Sequence, residues 1–574
     1  MEEIRFQKIE ALKAQGYEPY PYRYGNVPTI GSIRKKWEVD PKGESVVVKG
    51  KVKRISKTEE GFMLRISDDS NLEILAFTKE KFEQGREYTI EGNLFRKDGK
   101  LSIINAVISS KEPTPISKIK EKYDSDPKEE EVKLAGRLVT LRRMGKASFG
   151  HIQDVEGKIQ IYIREDTVGR ESYEFFNEFV DTGDIIGVEG NLFRTNTGEL
   201  TINVKRFQLL AKCLNPLPEK WHGIKDVEVR YRQRYLDLIA NERSRSIFLL
   251  RSKVIRCIRD FFENEGFVEV ETPVLQPIAS GATAKPFVTY HNYLESDLYL
   301  RIAPELYLKR LIVGGFPKVY EIGKNFRNEG VDTTHNPEFT MLEFYVAYWD
   351  YKDLIEFTER LFEYLTEKVV CSKKITYQDQ VINLSTPFRR VSYFELLEEK
   401  TGKDKTFFLK HEDELRKWAK DIGIQRVDEM THAKIIDKIF EHFIEHELVQ
   451  PTFVIDFPKI LSPLAKTHRK DKDLVERFEL FIAGKEIANA YTELNDPVEQ
   501  KERFLEQLKE KEKGDEEAMA MDEDFIKALE YGMPPTAGEG IGIDRLIMLL
   551  ADTPSIRDVI LFPALRQVRD EVNI

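Results

Sequence analysis

The sequence predicts an α+β protein in which two small β-barrels of related sequence precede a larger domain, an antiparallel sheet flanked by helices. Three observations carry this prediction. The first part of the chain contains an internal repeat, each copy alternates apolar and polar residues, and the pattern changes after a Pro/Gly-rich linker. Beyond that linker, long helix candidates and β-rich stretches alternate without regular βαβ order.

The composition excludes several classes of protein. Hydrophobic residues make up 41% and charged residues 33%, which is typical of a globular chain rather than a disordered or fibrous one. The net charge of −11 argues against non-specific coating of nucleic acid, so any such contact must come from local basic patches. Cys213, Cys257 and Cys371 suggest neither a metal pair nor a disulfide framework. Without a signal-like or membrane-spanning apolar run, we expect a cytoplasmic protein that does not bind membranes.

The N-terminus is expected to form a helical extension. Ile4, Ile9 and Leu12 lie near one face of a helix that Gly16 would end. The following segment is rich in Pro, Tyr and Gly, so we expect it to be irregular.

The repeat organises the first part of the chain. TIGSIRKKWEVDPK (29–42) resembles PISKIKEKYDSDPK (115–128), and EGNLFR occurs at 91–96 and again at 189–194. The second copy is longer around RESYEFFNEFV, which has a helical pattern. Five strands with a helix between the third and fourth describe an OB-fold, although any small β-barrel would fit. The predicted division is an N-terminal helical extension at 1–42, a first OB-like barrel at 43–112, a connecting helix at 113–129, a second OB-fold at 130–214, a linker at 215–228 and the large domain at 229–574.

One hairpin of the large domain suits a nucleotide. In YEIGKNFRNEGVDTTHNPEFTMLEFYVAY (320–348), we expect Arg327 and Glu329 to share one face of a strand, followed by a loop with His335 and a returning strand with Phe339. Arg can neutralise a phosphate, and Phe can stack on a base. An exposed hairpin with surface ion pairs would show the same pattern.

Two further segments carry polar residues and glycines. The hairpin RFELFIAGKEIANAYTELND (477–496) brings Glu479 and Glu486 near each other, as oxygen ligands for Mg²⁺ would be, although charge alternation is common in hairpins. In PPTAGEGIGIDRLIMLLAD (534–552), three glycines form a strand that a ligand can approach closely, and Arg545 opens the next helix. This segment is not a P-loop.

Together with a helix at 246–267 that runs into VEVETPVL (268–275), these segments resemble the three signature motifs of class II aminoacyl-tRNA synthetases. RIAPELYLKRL, FRNEG, HNPEFTMLEFY, GKEIANAYTELND and GIGIDRL are similar to segments of the lysyl-tRNA synthetases of subclass IIb. The resemblance covers 1–40 and 115–574, and the usual bacterial architecture lacks the first barrel. It implies a class II catalytic domain, a homodimer, and ATP-dependent attachment of L-lysine to the 3′ end of tRNA(Lys) through a lysyl-adenylate.

The resemblance also implies roles for residues around ATP. Arg327 would hold the α-phosphate and the substrate carboxylate, and Arg545 the γ-phosphate, which makes both catalytic. Phe339 would stack on adenine against Arg545. Glu479 and Glu486 would bind Mg²⁺, with up to three ions in each active site. The other residues expected to bind ATP are Glu329, near the adenine amino group, His335, by the β- and γ-phosphates, and Asn336.

The pocket for the amino acid can be argued from charge. A buried lysine ammonium needs a compensating carboxylate because of its desolvation cost, whereas an aspartate-specific relative would need cations there. By position, Glu343 and Glu493 would face the side-chain ammonium, Glu305 and the Gly281 backbone the α-amino group, and Asn489 the α-carboxylate. The lysine-binding residues implied are Gly281, Glu305, Glu343, Tyr345, Asn489, Tyr491 and Glu493.

The second barrel carries a candidate anticodon reader. Phe149 can stack on a base, Arg142 and Gln160 can hydrogen-bond base edges or backbone, and Glu199 is a further base-edge candidate. The alternative is that Phe149 belongs to the barrel core.

The first barrel departs from this pattern. The repeat places Ser56, Met63, Ile74 and Lys100 at the positions of the four candidate readers. We therefore expect that it does not read the anticodon. It could instead brace the second barrel, extend a phosphate-binding surface or bind another partner.

Three hypotheses for the function remain open. The leading one is an active lysine–tRNA ligase. A paralogue that lysylates a protein is less compatible with two barrels. A catalytically inactive tRNA-binding, RNA-binding or regulatory paralogue should have lost an arginine or a Mg²⁺ carboxylate, and here the set is complete.

Overall fold

A computed structural model of the protein divides the chain into two compact units, residues 1–218 and 219–574. The structure describes residues 2–566 except at 16, 18, 21–44, 59–60, 68–72, 79–83, 85–86, 98–99, 109–130, 156, 218–223, 225, 283 and 513–518. For much of the first barrel it describes the backbone only. The connecting helix predicted at 113–129 lies outside the described residues, as does half of the predicted linker at 215–228.

Two closed five-stranded barrels form most of the first unit, and their strand orders are the same. The first has the order β1-β2-β3-β5-β4 and the second β6-β7-β8-β10-β9, as the OB prediction requires. The strands are β1 (Ser45–Thr58), β2 (Gly61–Ser67), β3 (Glu73–Thr78), β4 (Glu87–Lys97), β5 (Lys100–Ile108), β6 (Glu131–Met144), β7 (Ala147–Gln153), β8 (Lys158–Arg164), β9 (Ile185–Arg194) and β10 (Leu200–Ala211).

The N-terminal helix α1 (Glu2–Ala14) packs on the second barrel. Its Leu12 is fully buried in the barrel core. The Arg5 guanidinium donates to the Cys213 carbonyl oxygen at 2.8 Å, and Lys8 Nζ lies 2.9 Å from the Asp181 carboxylate. The segment RESYEFFNEFV forms α3 (Arg170–Phe179), preceded by α2 (Glu165–Val168), between the third and fourth strands as predicted.

The strand pairing shows which residues of the two barrels correspond. Ser56 pairs with Met63 as Arg142 pairs with Phe149, which confirms these two correspondences.

The position equivalent to Gln160 needs a correction. Gln160 lies opposite His151, and the first-barrel residue opposite Arg65 is Leu75. Leu75 therefore replaces Ile74 as the counterpart of Gln160, because the connection between the second and third strands differs in length between the copies.

The second unit is built on a large sheet. Its described strands follow the order β11-β15-β16-β23-β22-β21-β20-β19, antiparallel except at the two edges. The strands of the unit are β11 (Val268–Glu269), β12 (Leu275–Gln276), β13 (Val288–His291), β14 (Ser296–Leu300), β15 (Lys318–Phe326), β16 (Glu338–Ala347), β17 (Lys374–Tyr377), β18 (Gln380–Asn383), β19 (Arg389–Ser392), β20 (Thr452–Ile455), β21 (Arg477–Ile482), β22 (Lys485–Thr492) and β23 (Thr536–Gly542).

The helices of the second unit flank this sheet, and one of them corresponds to the helix predicted at 246–267. They are α4 (Val227–Arg232), α5 (Arg234–Ala240), α6 (Glu242–Asn264), α7 (Glu305–Val313), α8 (Tyr351–Leu365), α9 (Tyr393–Thr401), α10 (Lys405–Lys410), α11 (Glu412–Asp421), α12 (His432–Phe443), α13 (Pro497–Glu512), α14 (Glu523–Glu530), α15 (Ile543–Leu550) and α16 (Ile556–Val559). Helix α8 continues as a π-helical turn, Thr366–Val370.

An aromatic core lies against one face of the sheet. Phe262 of α6 meets Phe344 of β16 with ring centroids 4.9 Å apart, and Phe357 of α8 packs 5.3 Å from Phe344. Because side chains alternate along a strand, Glu343 and Tyr345 lie on the other face of β16. That face carries the candidate site.

Candidate active site

Strands β16, β23 and β22 form the floor of the site. Tyr345 and Tyr491 both pair with Gly538 of the central strand. A Cβ at Gly538 would overlap the Glu493 carboxylate and the Tyr345 ring. At Gly538, the missing side chain therefore makes room for Glu493 and Tyr345 of the protein itself rather than for a ligand.

The site contains a buried cation that the sequence interpretation missed. Lys309 of α7 is fully buried, and its ammonium lies 2.6 Å from Glu305 and in contact with Glu493. The Tyr491 hydroxyl donates to Glu305 at 2.7 Å, and its ring lies 5.6 Å from the Lys309 ammonium. Burial lowers the pKa of Lys309, but Glu305 and Glu493 outweigh it and hold the pKa above its usual value.

Carboxyl groups nevertheless outnumber the ammonium in this pocket. Burial and the neighbouring Glu305 raise the pKa of Glu343 to about 8, even though Asn325 donates to it at 3.2 Å. Burial and the nearby carboxylates also hold the pKa of Tyr345 well above its usual value. Both oxygens of Glu493 are buried without a hydrogen-bond partner, although the Lys309 ammonium touches one of them. A ligand with donor groups would satisfy these oxygens.

The two remaining predicted pocket residues adjoin these carboxylates. Gly281 has φ +93°, and a Cβ built on it would lie 3.6 Å from that of Glu305. Asn489 lies opposite Gly540 on the floor, and its Oδ1 accepts from Arg477 Nε at 3.0 Å. All seven predicted lysine-binding residues thus belong to one region of the second unit.

The predicted nucleotide hairpin differs from expectation at one point. Strand β15 ends at Phe326, so Arg327 and Glu329 do not share a strand face, and Glu329 is an exposed loop residue. The cause is a contact distant in sequence, since the Asn328 N–H donates to the Lys285 carbonyl at 2.8 Å and draws the chain out of the hairpin.

Arg327 still faces the returning strand. Its guanidinium lies over the Phe339 ring at 5.1 Å, and its Nε is buried without a partner. The residue over the Phe339 ring is thus Arg327 and not Arg545, which instead pairs with Glu486. A half-buried guanidinium with an unused donor suits an anionic group.

The loop between β15 and β16 is held by its own polar residues. His335 Nδ1 lies 2.9 Å from Asp332, which also accepts from Thr334. Slight burial raises the pKa of Asp332, but these hydrogen bonds outweigh it and hold the pKa far below its usual value. Asn336 is buried, donates to the Glu338 carbonyl at 2.5 Å and accepts from the Ala564 N–H at 3.1 Å. Asn336 therefore fastens the loop, while His335 remains half exposed.

The two predicted metal ligands are each paired with an arginine. Glu479 pairs with Arg477 at 2.5 Å, and Glu486 lies 3.2 Å from Arg545 of α15. A bulge after Leu480 places Glu486 diagonally from Glu479 rather than directly opposite. Arg477 was missed by the sequence interpretation, although its spacing of two residues from Glu479 puts both on one strand face.

Further carboxylates surround this pair. Burial raises the pKa of Glu479 to about 8; Arg477 opposes the shift, while Glu486, Asp437 and Glu445 reinforce it. Such an excess of negative charge fits a cation. Within the described part of the chain, no group of three or more His, Cys, Asp or Glu residues is placed to hold a metal ion by itself. A pair of carboxylates completed by substrate phosphates remains compatible with this arrangement.

The second barrel presents an aromatic ladder. Phe149 is half-buried outside the barrel core and stacks on Tyr162 with ring centroids 4.3 Å apart, and Tyr162 lies 6.1 Å from Phe193. The alternative that Phe149 is a core residue is therefore wrong. Arg142, directly opposite Phe149, is exposed.

A chain of hydrogen bonds orders the polar readers beside this ladder. Gln160 Nε2 donates to Glu199 at 2.8 Å, and Gln160 Oε1 accepts from Thr201 at 2.8 Å. His151 joins the other Glu199 oxygen at 2.9 Å and Thr140 at 2.6 Å. The sequence interpretation missed His151 and Thr201, whose only local signal was their position on strands next to the predicted readers.

Sequence comparisons agree with this arrangement of a barrel and a catalytic domain. Residues 226–566 match the family model described as tRNA synthetases class II (D, K and N), and residues 132–210 match the OB-fold nucleic acid binding domain. The chain belongs to this family, the class II tRNA synthetases of the group designated D, K and N. Neither match reaches the first barrel.

The similar proteins narrow this class. Lysine–tRNA ligase of Aquifex aeolicus is 66% identical over 568 residues, covering 99% of this chain and 95% of that protein. Lysine–tRNA ligases of Carboxydothermus hydrogenoformans and Halalkalibacterium halodurans are 56% and 54% identical, over 76% and 78% of this chain and 89% and 90% of their own lengths. Among the described residues, no helix is long and apolar enough to cross a membrane.

Proposed function

We propose that the protein uses ATP to attach L-lysine to the 3′ end of tRNA(Lys) through a lysyl-adenylate. The observation that carries this proposal is the buried pocket in which the Lys309 ammonium pairs with Glu305 and Glu493, and in which the buried carboxyl of Glu343 lies close enough to both glutamates to affect their charge. L-Lysine brings two ammonium groups, which match the surplus of carboxyl groups. The family and the names of the similar proteins support the same reaction.

Each pocket residue has a task in this proposal. The Glu493 oxygen that Lys309 does not contact accepts from the side-chain ammonium of the substrate, with Glu343 and Tyr345 beside it. Glu305 and the Gly281 backbone take the α-amino group. Lys309 holds Glu305 and Glu493 together and limits their repulsion, so that the pocket can form before lysine arrives.

The phosphates of ATP are assigned to the arginines. Arg327, with its unused Nε, and Arg545 orient the triphosphate, while Phe339 offers a face for adenine. The lysine carboxylate oxygen attacks the α-phosphorus, a new P–O bond forms, and the bond to pyrophosphate breaks. The terminal tRNA hydroxyl then attacks the carbonyl carbon, and AMP leaves. Glu329, His335 and Asn336 complete the nucleotide site as loop residues.

The carboxylates Glu479 and Glu486 fit Mg²⁺, because the repulsion at Glu479 would be relieved by a cation. When bound, the ion would neutralise charge on the ATP phosphates. Arg477 and Arg545 would then be released from these two glutamates and become available to other anions.

The second barrel is assigned to the anticodon. Phe149 supplies a stacking face, Arg142 a cation beside it, and Gln160 and Glu199 hydrogen-bonding groups held by His151. Stacking combined with fixed base-edge partners is the usual means by which proteins read single-stranded RNA. Because an ionised Glu199 carboxylate can only accept hydrogen bonds, it favours a base that presents N–H groups.

A two-fold homodimer is the assembly that we propose. Large apolar side chains are exposed around β11–β14, including Val288 at 59% and Tyr293 at 90%. Exposed apolar surface of this kind marks protein–protein interaction sites. The commonest symmetric assembly is a two-fold dimer, in which the same surface of each subunit forms the interface. We place the enzyme in the cytoplasm, where tRNA is charged.

The experiment that tests this function is lysine-dependent exchange between ATP and pyrophosphate, followed by charging of tRNA. An active ligase supports exchange and charges tRNA(Lys). A protein-lysylating paralogue would support exchange without charging tRNA, and an inactive paralogue would do neither. Either of the last two results would refute the proposal.

A further inference from the structure

The first barrel has a different chemistry on the face that corresponds to the reader face of the second barrel. By strand pairing, Arg54 and Arg65 face each other at the position where Thr140 faces His151. The positions of Thr140 and His151 in the second barrel are thus both occupied by arginine in the first. Both of these arginines are exposed.

The other polar readers are replaced in the same way. Leu75 holds the position of Gln160, since each pairs with the fifth strand at Ser102 and Thr201 respectively. Lys100, the residue before the paired Leu101, holds the position of Glu199, which precedes the paired Leu200. The first barrel therefore lacks the carboxylate, the amide and, at Ser56, the guanidinium of the predicted readers. It carries three cations, Arg54, Arg65 and Lys100, at positions where the second barrel has none.

The remainder of the first two strands strengthens this charge. Lys51 and Lys53 of β1 are exposed. Neither Ser45–Thr58 nor Gly61–Ser67 contains an aspartate or glutamate, although the whole chain carries a net charge of −11. The neighbouring acidic residues of the sequence, at 59–60 and 68–69, lie outside the described residues.

Two aromatic positions of the ladder are retained. Phe77 pairs with Met63 as Tyr162 pairs with Phe149. Phe95 pairs with Ser102 as Phe193 pairs with Thr201. Cations that follow the phosphates, together with aromatic residues that can stack on any base, are the combination by which proteins bind single-stranded nucleic acid without reading its sequence.

We infer that the β1–β2 face of the first barrel binds the sugar–phosphate backbone of the same tRNA that the second barrel reads. The contact adds affinity without sequence information, since phosphate contacts position a nucleic acid and base contacts specify it. This goes beyond the proposed ligase activity and requires only RNA binding. Its failure is therefore distinguishable from failure of lysine activation.

The test uses the full chain with the double substitution Arg54→Ala/Lys100→Ala. Affinity for tRNA(Lys) is measured between about 50 and 200 mM salt, a range over which each phosphate contact contributes about threefold to the loss of binding. Removal of two contacts should make the salt-induced loss about tenfold smaller than in the wild type. An anticodon-swapped tRNA should show the same change, and lysine-dependent pyrophosphate exchange should be unaffected.

Two further variants make the outcome decisive. The conservative substitution Arg54→Lys/Lys100→Arg keeps both charges and should bind as the wild type does. Lys417→Ala/Lys527→Ala removes two exposed cations of the second unit and should leave the salt dependence unchanged. Unfolding midpoints verify that each variant is folded, and Arg54→Gln/Lys100→Gln replaces the first variant if it is not. Unaltered salt dependence in the alanine variant, a loss restricted to tRNA(Lys), or a preference of the wild type for poly-glutamate over RNA would each overturn the inference.

Discussion

The ammonium of Lys309 and the carboxylate of Glu493 form an ion pair in which both side chains are completely buried. Lys309 comes from α7, four residues after Glu305, and Glu493 follows β22, so the pair joins segments that are far apart in the sequence. Loss of Lys309 would leave both Glu305 and Glu493 without their cation, whereas loss of Glu493 would leave the buried ammonium with Glu305 as its one carboxylate.

This pairing predicts different outcomes for stability and for lysine use. Glu493→Gln should lower the free energy of unfolding by about 3–5 kcal/mol and weaken lysine use about 10²–10³-fold, because it removes one partner of a buried pair. ATP affinity should change little. The double variant Lys309→Met/Glu493→Gln should not regain lysine use, and it should regain little stability, because Glu305 then lacks the ammonium that it pairs with.

Urea unfolding and lysine-dependent pyrophosphate exchange measure the two effects. Glu356→Gln, on the exposed side of α8, is the matched control and should change neither. Restoration of lysine use in the double variant would show that Glu493 does not hold the substrate ammonium.

Binding of lysine should release a proton from Glu343. Burial and Glu305 raise the pKa of this carboxyl to about 8 in the free protein, so that it is mostly protonated at pH 7. A substrate ammonium beside it favours the ionised form and lowers its pKa. Release should therefore approach about 0.9 proton at pH 7, and lysine affinity should rise from pH 6 to 8 and then level off.

Calorimetry in buffers with different ionisation enthalpies measures this proton. Glu343→Gln should abolish the dependence on buffer and flatten the pH profile. Identical binding enthalpies in all buffers for the wild type would contradict the assignment.

The barrels were predictable because their signals are local. Alternation, turn residues and the duplicated EGNLFR each act within one copy, and the chain has the predicted strand order in both. Ile74 was wrongly taken as the counterpart of Gln160, one position away from the correct Leu75. A sequence offset does not show where a connection between strands changes length. The end of β15 at Phe326 could not be predicted from the hairpin sequence. It depends on the hydrogen bond from the Asn328 N–H to the carbonyl of Lys285, a residue outside the hairpin.

The candidate site was predictable to the extent that its residues lie in recognisable motifs. Lys309 was missed because its importance depends on Glu493, which is distant in sequence. The only local sign was its spacing from Glu305, since residues four apart on a helix are neighbours. His151 was missed for a similar reason, because its role arises from its contact with Glu199 on another strand.

Glu539 should make the stability of the second unit depend on pH. It is fully buried on the core face of β23, and burial raises its pKa to about 8 despite the hydroxyl of Thr358. A neutral carboxyl can donate to Thr358 Oγ1, which in turn donates to the Leu354 carbonyl at 2.8 Å. Between its unfolded and folded pKa values, the native state holds one proton more than the unfolded state. Stability therefore falls as pH rises through this window, by about 1.4 kcal/mol per pH unit from this group.

Glu539→Gln should remove that contribution, because its amide can donate to Thr358 without titrating. The variant should be as stable as the wild type near pH 5 and more stable at pH 8. Denaturant unfolding across this range measures the difference, with Glu356→Gln as control. Parallel pH profiles of the Glu539→Gln variant and the wild type would refute the assignment.

The last prediction concerns the aromatic ladder of the second barrel. Phe149 stacks on Tyr162 and stands opposite the exposed Arg142, so its truncation should cost about 1–3 kcal/mol in tRNA binding through lost stacking on a base. Lysine activation should be preserved in Phe149→Ala, because adenylate formation does not involve the barrel. Met63→Ala, at the corresponding position of the first barrel, is the matched control and should leave discrimination between tRNA(Lys) and an anticodon-swapped tRNA unchanged. The measurement is the ratio of charging of tRNA(Lys) to charging of the anticodon-swapped tRNA, for each of the two variants. If discrimination were lost in Met63→Ala and kept in Phe149→Ala, the anticodon would have been assigned to the wrong barrel.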